Sequence, residues 1–152
     1  SLRCTSVLEI GCGTGIDLRL FSETFDVHGV DLNDTALNIA KEKCPKFDFK
    51  KSSITELPFA NSSIDFVFTH QLLNYLEDDV LEKGISEMHR VAGKYIMNCE
   101  RYDKSEKQIN ANSKFRNMQK RWLDYKIKVV SDVDMHEEIE PDKSRFTLLR
   151  KL

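Results

Sequence analysis

Short apolar runs recur along the chain, with segments of helical period between them. Residues 6–10, 27–32 and 64–69 are compact runs rich in β-branched and aromatic residues, which predicts strands, the last of them central and fully buried. Residues 47–51 alternate as a short edge-like strand, and residues 94–99 supply a fifth. Leu18, Leu20, Phe21 and Phe25 give residues 16–25 a helical spacing. Asp34 and Thr35 can cap a second helix over residues 36–44, which Pro45 ends. Val80, Leu81, Ile85, Met88 and Val91 mark a third over residues 78–91, with Gly93 placed as its C-cap.

That order of elements implies right-handed βαβ crossovers and a parallel sheet covered on both faces. The pattern changes after residue 100. Residues 101–128 are polar and basic, and within them Phe115, Met118, Trp122 and Leu123 have helical spacing, with Trp122 expected in the core. Residues 126–133 and 145–152 read as the strands of a terminal antiparallel hairpin, joined by an acidic, turn-rich segment.

A chain of 152 residues suffices for one domain burying roughly two-thirds of its unfolded surface, and residues 1–152 are expected to form a single domain. The start at Ser1 and Leu2 without a methionine leaves room for absent upstream residues, an N-terminal cap among them. A hydrophobic content of 40% and a net charge of -2 describe an ordinary soluble globular protein rather than a disordered or nucleic-acid-coating one. Cys4, Cys12, Cys44 and Cys99 form no CxxC pair, and no histidine stands at metal-ligand spacing, so no metal site and no disulfide framework are expected. Four reduced cysteines imply a cytoplasmic location. No apolar run approaches the ~20 residues a bilayer requires, so no membrane partner is expected either. Nothing specifies an oligomeric state.

Chemistry enters with "VLEIGCGTG" at residues 7–15. Glycines between a first strand and a first helix let backbone approach a nucleotide-like ligand beyond the strand carboxyl ends. The dinucleotide pattern G-x-G-x-x-G fails by one position, because Ile16 stands where the last glycine should fall. Glu9 puts a carboxylate near the loop, which suits an ammonium group and repels a pyrophosphate. Asp31, ending the second strand, can accept hydrogen bonds from both ribose hydroxyls.

Together, E-x-G-x-G-x-G at residues 9–15, the Asp31 strand end, "SSITELPF" and "SIDFVFTHQLLNYL" resemble the class I S-adenosylmethionine-dependent methyltransferases, over residues 6–100. The resemblance implies a Rossmann-like α/β sandwich whose seven-stranded, mostly parallel sheet has the order 3-2-1-4-5-7-6, with strand 7 antiparallel. It implies S-adenosylmethionine as cofactor and S-adenosylhomocysteine as product. It assigns Glu9, Gly11, Cys12, Gly13 and Gly15 to the methionine end, Asp31 to the ribose, and Leu32 to the adenine. Ser53 and Ile54 stand where the family holds adenine, although the family usually has an acidic residue at the first of these places. Thr69, His70 and Gln71 are the positions that face the cofactor and its methyl group. More narrowly, "FVFTHQLLNYL", "HRVAGKYIMNCERY" and "FTLLRKL" are similar to methylases associated with pseudaminic acid and related surface sugars, which points to a small-molecule acceptor such as a sugar or sugar acid.

Methyl transfer from a sulfonium is an in-line displacement that asks the protein mainly for orientation and water exclusion. A hydroxyl or amine acceptor also benefits from a general base. His70, at a strand's carboxyl end, is the candidate, its alternative being a packing residue beside the cofactor. His136 is a weaker candidate, His28 and His89 are read as structural, and Tyr75 and Tyr102 are possible walls of an acceptor pocket. Residues 101–128 carry nine Lys or Arg against three acids, a charge of +6 that could attract nucleic acid; a solvated helix face accounts for it as well. Neither an NPPY-like element nor a Pro-Cys nucleophile pair is present, so no nucleic-acid partner is expected. Two alternatives stay open: a non-catalytic module that binds S-adenosylmethionine, and an RNA or protein methyltransferase.

Overall fold

The computed structural model describes residues 3–139 and 142–152. Glu140 and Pro141, within the segment expected to join the terminal strands, and the Ser1-Leu2 start lie outside the described residues. Five parallel strands come first: β1 (Ser6–Ile10), β2 (Asp26–Asp31), β3 (Asp48–Lys51), β4 (Ile64–His70) and β5 (Ala92–Arg101). Helix α1 (Asp34–Lys43) links β2 to β3, and α2 (Asp78–Val91) links β4 to β5. A small hairpin, β6 (Gln108–Asn110) with β7 (Ser113–Lys114), precedes one turn of helix, α3 (Met118–Arg121). Strands β8 (Ile127–Asp134) and β9 (Ser144–Lys151) close the sheet in the order β3-β2-β1-β4-β5-β9-β8. Numbering only the seven sheet strands makes this the expected 3-2-1-4-5-7-6, with the last strand antiparallel to both neighbours.

Each sheet face packs a separate core. On one, Leu8, Ile10, Val67 and Ile96 meet Leu81, Ile85, Met88 and Val91 of α2, and Trp122 and Leu149 join them. On the other, Val7, Val27, Phe49 and Phe68 meet Leu37 and Ala40 of α1, with Cys12 and Leu18. Period-2 alternation in the strands and period-3.6 spacing in the helices create these two faces. Trp122 is wholly buried, as its spacing suggested, and its indole N–H donates to Asn98 Oδ1 at 2.9 Å.

Several expected boundaries move. The helix expected over residues 16–25 shrinks to one 3-10 turn, Leu18–Leu20, and only Leu18 of that turn is buried. Ile16 and Leu20 are exposed, so the spacing has no packed stripe behind it. The Ser22 hydroxyl accepts the Thr24 amide at 3.2 Å, a local bond that competes with helix. The N-cap of α1 is Asn33 rather than Asp34 or Thr35; its side chain accepts the Ala36 amide at 3.0 Å. Gly93 does not cap α2, because the chain enters β5 directly at Ala92. Glycine eases the packing there for another reason: a Cβ would sit 3.0 Å from the Ser62 carbonyl oxygen. The helix suggested around residues 115–123 is limited to Met118–Arg121, and Leu123 is exposed.

This topology gathers the carboxyl ends of β1, β2, β4 and β5 on one rim, and antiparallel β9 adds its first residues there through the pair Arg101–Ser144. Open parallel sheets bind ligands at this rim, where strand order reverses.

Candidate active site

The glycine loop leaves β1 with Gly11 at φ +76°, in the left-handed region that favours glycine. Its amides turn inward. Those of Gly11 and Cys12 both donate to the Val30 carbonyl, at 2.8 and 3.0 Å, and that of Gly13 donates to Asp31 Oδ2 at 2.9 Å. Asp31 Oδ1 accepts the Asn33 amide at 2.9 Å. An ionised carboxylate offers about four lone-pair sites, so Asp31 shapes the loop and retains acceptor capacity for a diol. The Cys12 side chain is core, and burial pushes its thiol up to about 12. Gly15 has φ +84°, and a Cβ there would meet Ala40 and Phe49 at 3.5 and 3.6 Å.

Behind the loop lies a chain of three titratable groups. Glu9 is buried in β1, and Asp17 follows the loop. Asp17 Oδ2 stands 2.9 Å from His70 Nδ1 at the end of β4. Burial is the main cause that lifts the Glu9 carboxyl to about 9, reinforced by its hydrogen bond to Asp17 and by the Asp17 charge. The His70 hydrogen bond holds the Asp17 carboxyl below its usual range. The two directions agree on one arrangement: protonated Glu9 donates to ionised Asp17, which also accepts from His70 Nδ1–H. Glu9 Oε1 is buried without a hydrogen-bond partner among the described residues. A ligand donor such as an ammonium group would satisfy it.

Beside the loop is a cleft of about 140 Å³. Gly11, Asp31, Leu32, Ser53 and Ile54 line it, together with Ile10, Ser52, Leu72, Leu76 and Val80. Its walls are mostly aliphatic, with Asp31 and the two serines at one side, which suits a flat heteroaromatic base joined to a ribose. Whole-ligand pockets run from roughly 300 Å³ upward, so this cleft takes one part of a larger molecule. Gly11 and Leu72 face each other across it, a Cβ on Gly11 falling 3.0 Å from a Leu72 methyl. The Ser53 hydroxyl is committed to its own loop, at 2.8 Å from Thr55 Oγ1.

A second cleft, of about 480 Å³, opens beyond the ends of β5 and β8 and the start of β9. Tyr102, Lys104, Lys143 and Arg145 line it along with Asp103, Asp134 and Glu137. The Arg145 guanidinium lies 3.5 Å from the centre of the Tyr102 ring. Gln71 connects this cleft to β4: its amide donates to the Cys99 carbonyl at 2.9 Å, and its side-chain NH2 donates to the Ser144 hydroxyl. Gln71 has φ +55°, a strained conformation for a residue with a side chain and one that accumulates at functional sites.

Of the residues singled out in the sequence, the smaller cleft brings together Gly11, Asp31, Leu32, Ser53 and Ile54. Glu9 and His70 meet through Asp17. Cys12 and Thr69 point into the interior, the Thr69 hydroxyl donating to Glu100 at 2.9 Å. Residues not anticipated are Asp17 and the apolar wall of Leu72, Leu76 and Val80. The wall lay within the quoted "QLLNYL" stretch and the α2 stripe, but a leucine on a wall and a leucine in a core give the same pattern.

Residues 7–94 match the model of the methyltransferase domain family. The chain belongs to that family. This places it among the class I S-adenosylmethionine-dependent methyltransferases, and the sheet order agrees. A ubiquinone/menaquinone biosynthesis C-methyltransferase of Campylobacter jejuni is 30% identical over 97 residues, covering 58% of this chain and 40% of the relative. The chain spans well under half the length of the curated relatives it matches. An S-adenosylmethionine-dependent methyltransferase of Methanosarcina mazei superposes with a TM-score of 0.79 at 19% identity, covering 96% of this chain and 92% of that one. Magnesium protoporphyrin IX methyltransferase of Synechocystis, solved with bound S-adenosylhomocysteine, gives 0.80 at 14% identity, covering 100% and 76%. Likeness at such identity establishes a shared fold. No helix among the described residues of this methyltransferase domain is long and apolar enough to cross a membrane.

Proposed function

We propose that this methyltransferase domain transfers the methyl group of S-adenosylmethionine to a polar small molecule, a sugar or sugar acid. The cofactor supplies a methyl group already activated on a sulfonium, so the chain's own residues bind, orient and exclude water. The smaller cleft takes the adenine between Leu32, Ile54 and Leu72, and Asp31 takes the ribose hydroxyls. The methionine end lies along Gly11 to Gly15, where the orphaned Glu9 Oε1 meets the ammonium group. His70 accepts the acceptor's proton, and Asp17 holds its ring by Nδ1 and stabilises the charge that results.

The observation carrying the acceptor class is the larger cleft. Its volume is that of a small-molecule pocket, and carboxylates, cations and a Tyr102–Arg145 platform crowd its lining. Such a surface suits a polyhydroxylated, charged acceptor and disfavours an apolar ring system. RNA binding draws less support, because cations of the basic segment are committed internally: Arg116 pairs with Asp78 at 2.8 Å and Arg121 with Glu106 at 2.6 Å.

Radiolabelled S-adenosylmethionine offered with a panel of sugars, sugar acids, quinones and RNA tests the reading. Label is expected in a sugar or sugar-acid product. Transfer confined to quinones or RNA would overturn the acceptor class, and absence of cofactor binding would overturn the function.

A further inference from the structure

The cleft wall opposite the glycine loop is a single turn too short to hold itself. A one-turn 3-10 helix, here Leu73–Tyr75, has two internal bonds, the Tyr75 amide to the Leu72 carbonyl and the Leu76 amide to the Leu73 carbonyl, and leaves its first amides and last carbonyls open. A buried carboxyl of β5 and a buried guanidinium beyond it meet both ends. Glu100 accepts the Leu73 amide through Oε1 at 2.8 Å. The Thr69 hydroxyl donates to its Oε2 at 2.9 Å. Arg116, whose side chain is fully buried, donates through Nε to the Leu73 carbonyl at 3.0 Å and through Nη2 to that of Leu76. Its Nη1 holds Asp78 Oδ1 at 2.8 Å, tying the turn to the start of α2, the helix that brings Val80 to the cleft. The Asn74 side chain completes the frame. It donates to the Arg101 and Lys114 carbonyls and accepts the Arg101 amide.

The carboxyl oxygens therefore sit at the amide end of the turn and the guanidinium at its carbonyl end, each opposing the local partial charge. Neither lines the cleft. We propose that Glu100 and Arg116 are positioning residues for the cofactor: their clamp fixes where Leu72 and Leu76 stand, and so fixes the width of the cleft facing Gly11. Leu72 is the sensitive point, since its methyls lie 3.0 to 3.1 Å from where a Gly11 Cβ would be. The inference rests on the reading of the smaller cleft as the cofactor's site.

Calorimetric titration with S-adenosylhomocysteine separates the two claims. Four proteins are compared: the parent, Glu100→Gln, Arg116→Lys, and Val91→Ala at the far end of α2 as a control for lost stability alone. Glutamine presents an NH2 where the carboxylate accepts, and lysine cannot reach two carbonyls and Asp78 together. Each clamp variant is expected to weaken binding by about tenfold or more, the scale of a lost hydrogen bond to a charged group. Val91→Ala is expected to bind as the parent does despite a lowered melting temperature. No binding by the parent overturns the cofactor reading beneath the proposal. Parental affinity in both clamp variants, or an equal loss in Val91→Ala, overturns the clamp alone. Should the clamp variants fail to fold, hydrogen exchange of the unliganded parent decides: the Leu73 amide is expected to exchange slowly, and exchange at the rate of an unstructured chain overturns the proposal.

Discussion

The glycine-loop wall of the smaller cleft takes its shape from near neighbours, the Gly13 amide reaching Asp31 across 18 positions of sequence. The facing wall, residues 72–76, depends on Glu100 and Arg116, at 27 and 43 positions from Leu73. One wall is made of backbone that folds onto the next strand; the other is a short turn suspended between a buried carboxyl and a buried guanidinium. Rigid placement can be reached by either route, but the second draws on β5 and the segment beyond it.

Replacing Gly11 by valine should remove the difference between the walls by closing the gap. A β-branched residue at φ +76° is strained, and its Cβ would fall 3.0 Å from Leu72. The strain, about 1–3 kcal/mol, is a loss of folding stability, and the side chain itself, entering the cleft beside Leu72, is expected to weaken S-adenosylhomocysteine binding about tenfold or more, measurable by calorimetry. Asp31→Ala should weaken the same titration by ~1.5–3 kcal/mol, since it removes an acceptor that the loop uses and that is proposed for the ribose. Parental affinity would show that the ribose lies elsewhere.

The walls also differ in how acidity reaches them. Burial lifts Glu9, behind the loop, to about 9 and Glu100, behind the turn, to about 7, from an ordinary 4.5. An acid with a raised folded value keeps its proton in the fold after the unfolded chain has released it. Stability should therefore fall as pH rises from 4.5 toward 7 for Glu100, and onward toward 9 for Glu9, by up to about 3 kcal/mol for Glu100. Asp17, held low by His70, acts oppositely: its contribution is lost as pH falls below the ordinary aspartate range. Urea denaturation across this span should show a flatter profile below pH 7 in Glu100→Gln, with the slope above it retained. The smallest effect is a gain. Ser53→Asp restores the acidic residue usual in the family at the cleft's edge and should tighten cofactor binding severalfold, about 1 kcal/mol. A weakened affinity would mean that the Ser53–Thr55 turn matters more than the added carboxylate.

Sequence pattern located β1, β2, α1, β4, α2 and β5 because each carries its own period, and the glycine spacing with Asp31 pointed to one wall of the cleft. The helix expected after the loop failed because an apolar spacing without a surface to bury it on does not make a helix, as exposed Ile16 and Leu20 show. The clamp was illegible for a different reason. Arg116 lies in a stretch whose basic composition suggested solvated charge, yet its side chain is fully buried. Composition records how many charges a segment has, and only tertiary contact records which of them are paired.

The buried hydrogen bonds behind the turn form a directed series. Trp122 donates to Asn98, Asn98 donates to Thr69 at 2.9 Å, and Thr69 donates to Glu100. Trp122 is the only tryptophan in the sequence, and its ring also meets Tyr125 edge-on, with centres 5.2 Å apart. Excited at the red edge, where tyrosine does not absorb, this molecule thus emits from one dry indole joined by that series to the carboxyl behind the cleft, an optical reporter with no dye or label attached.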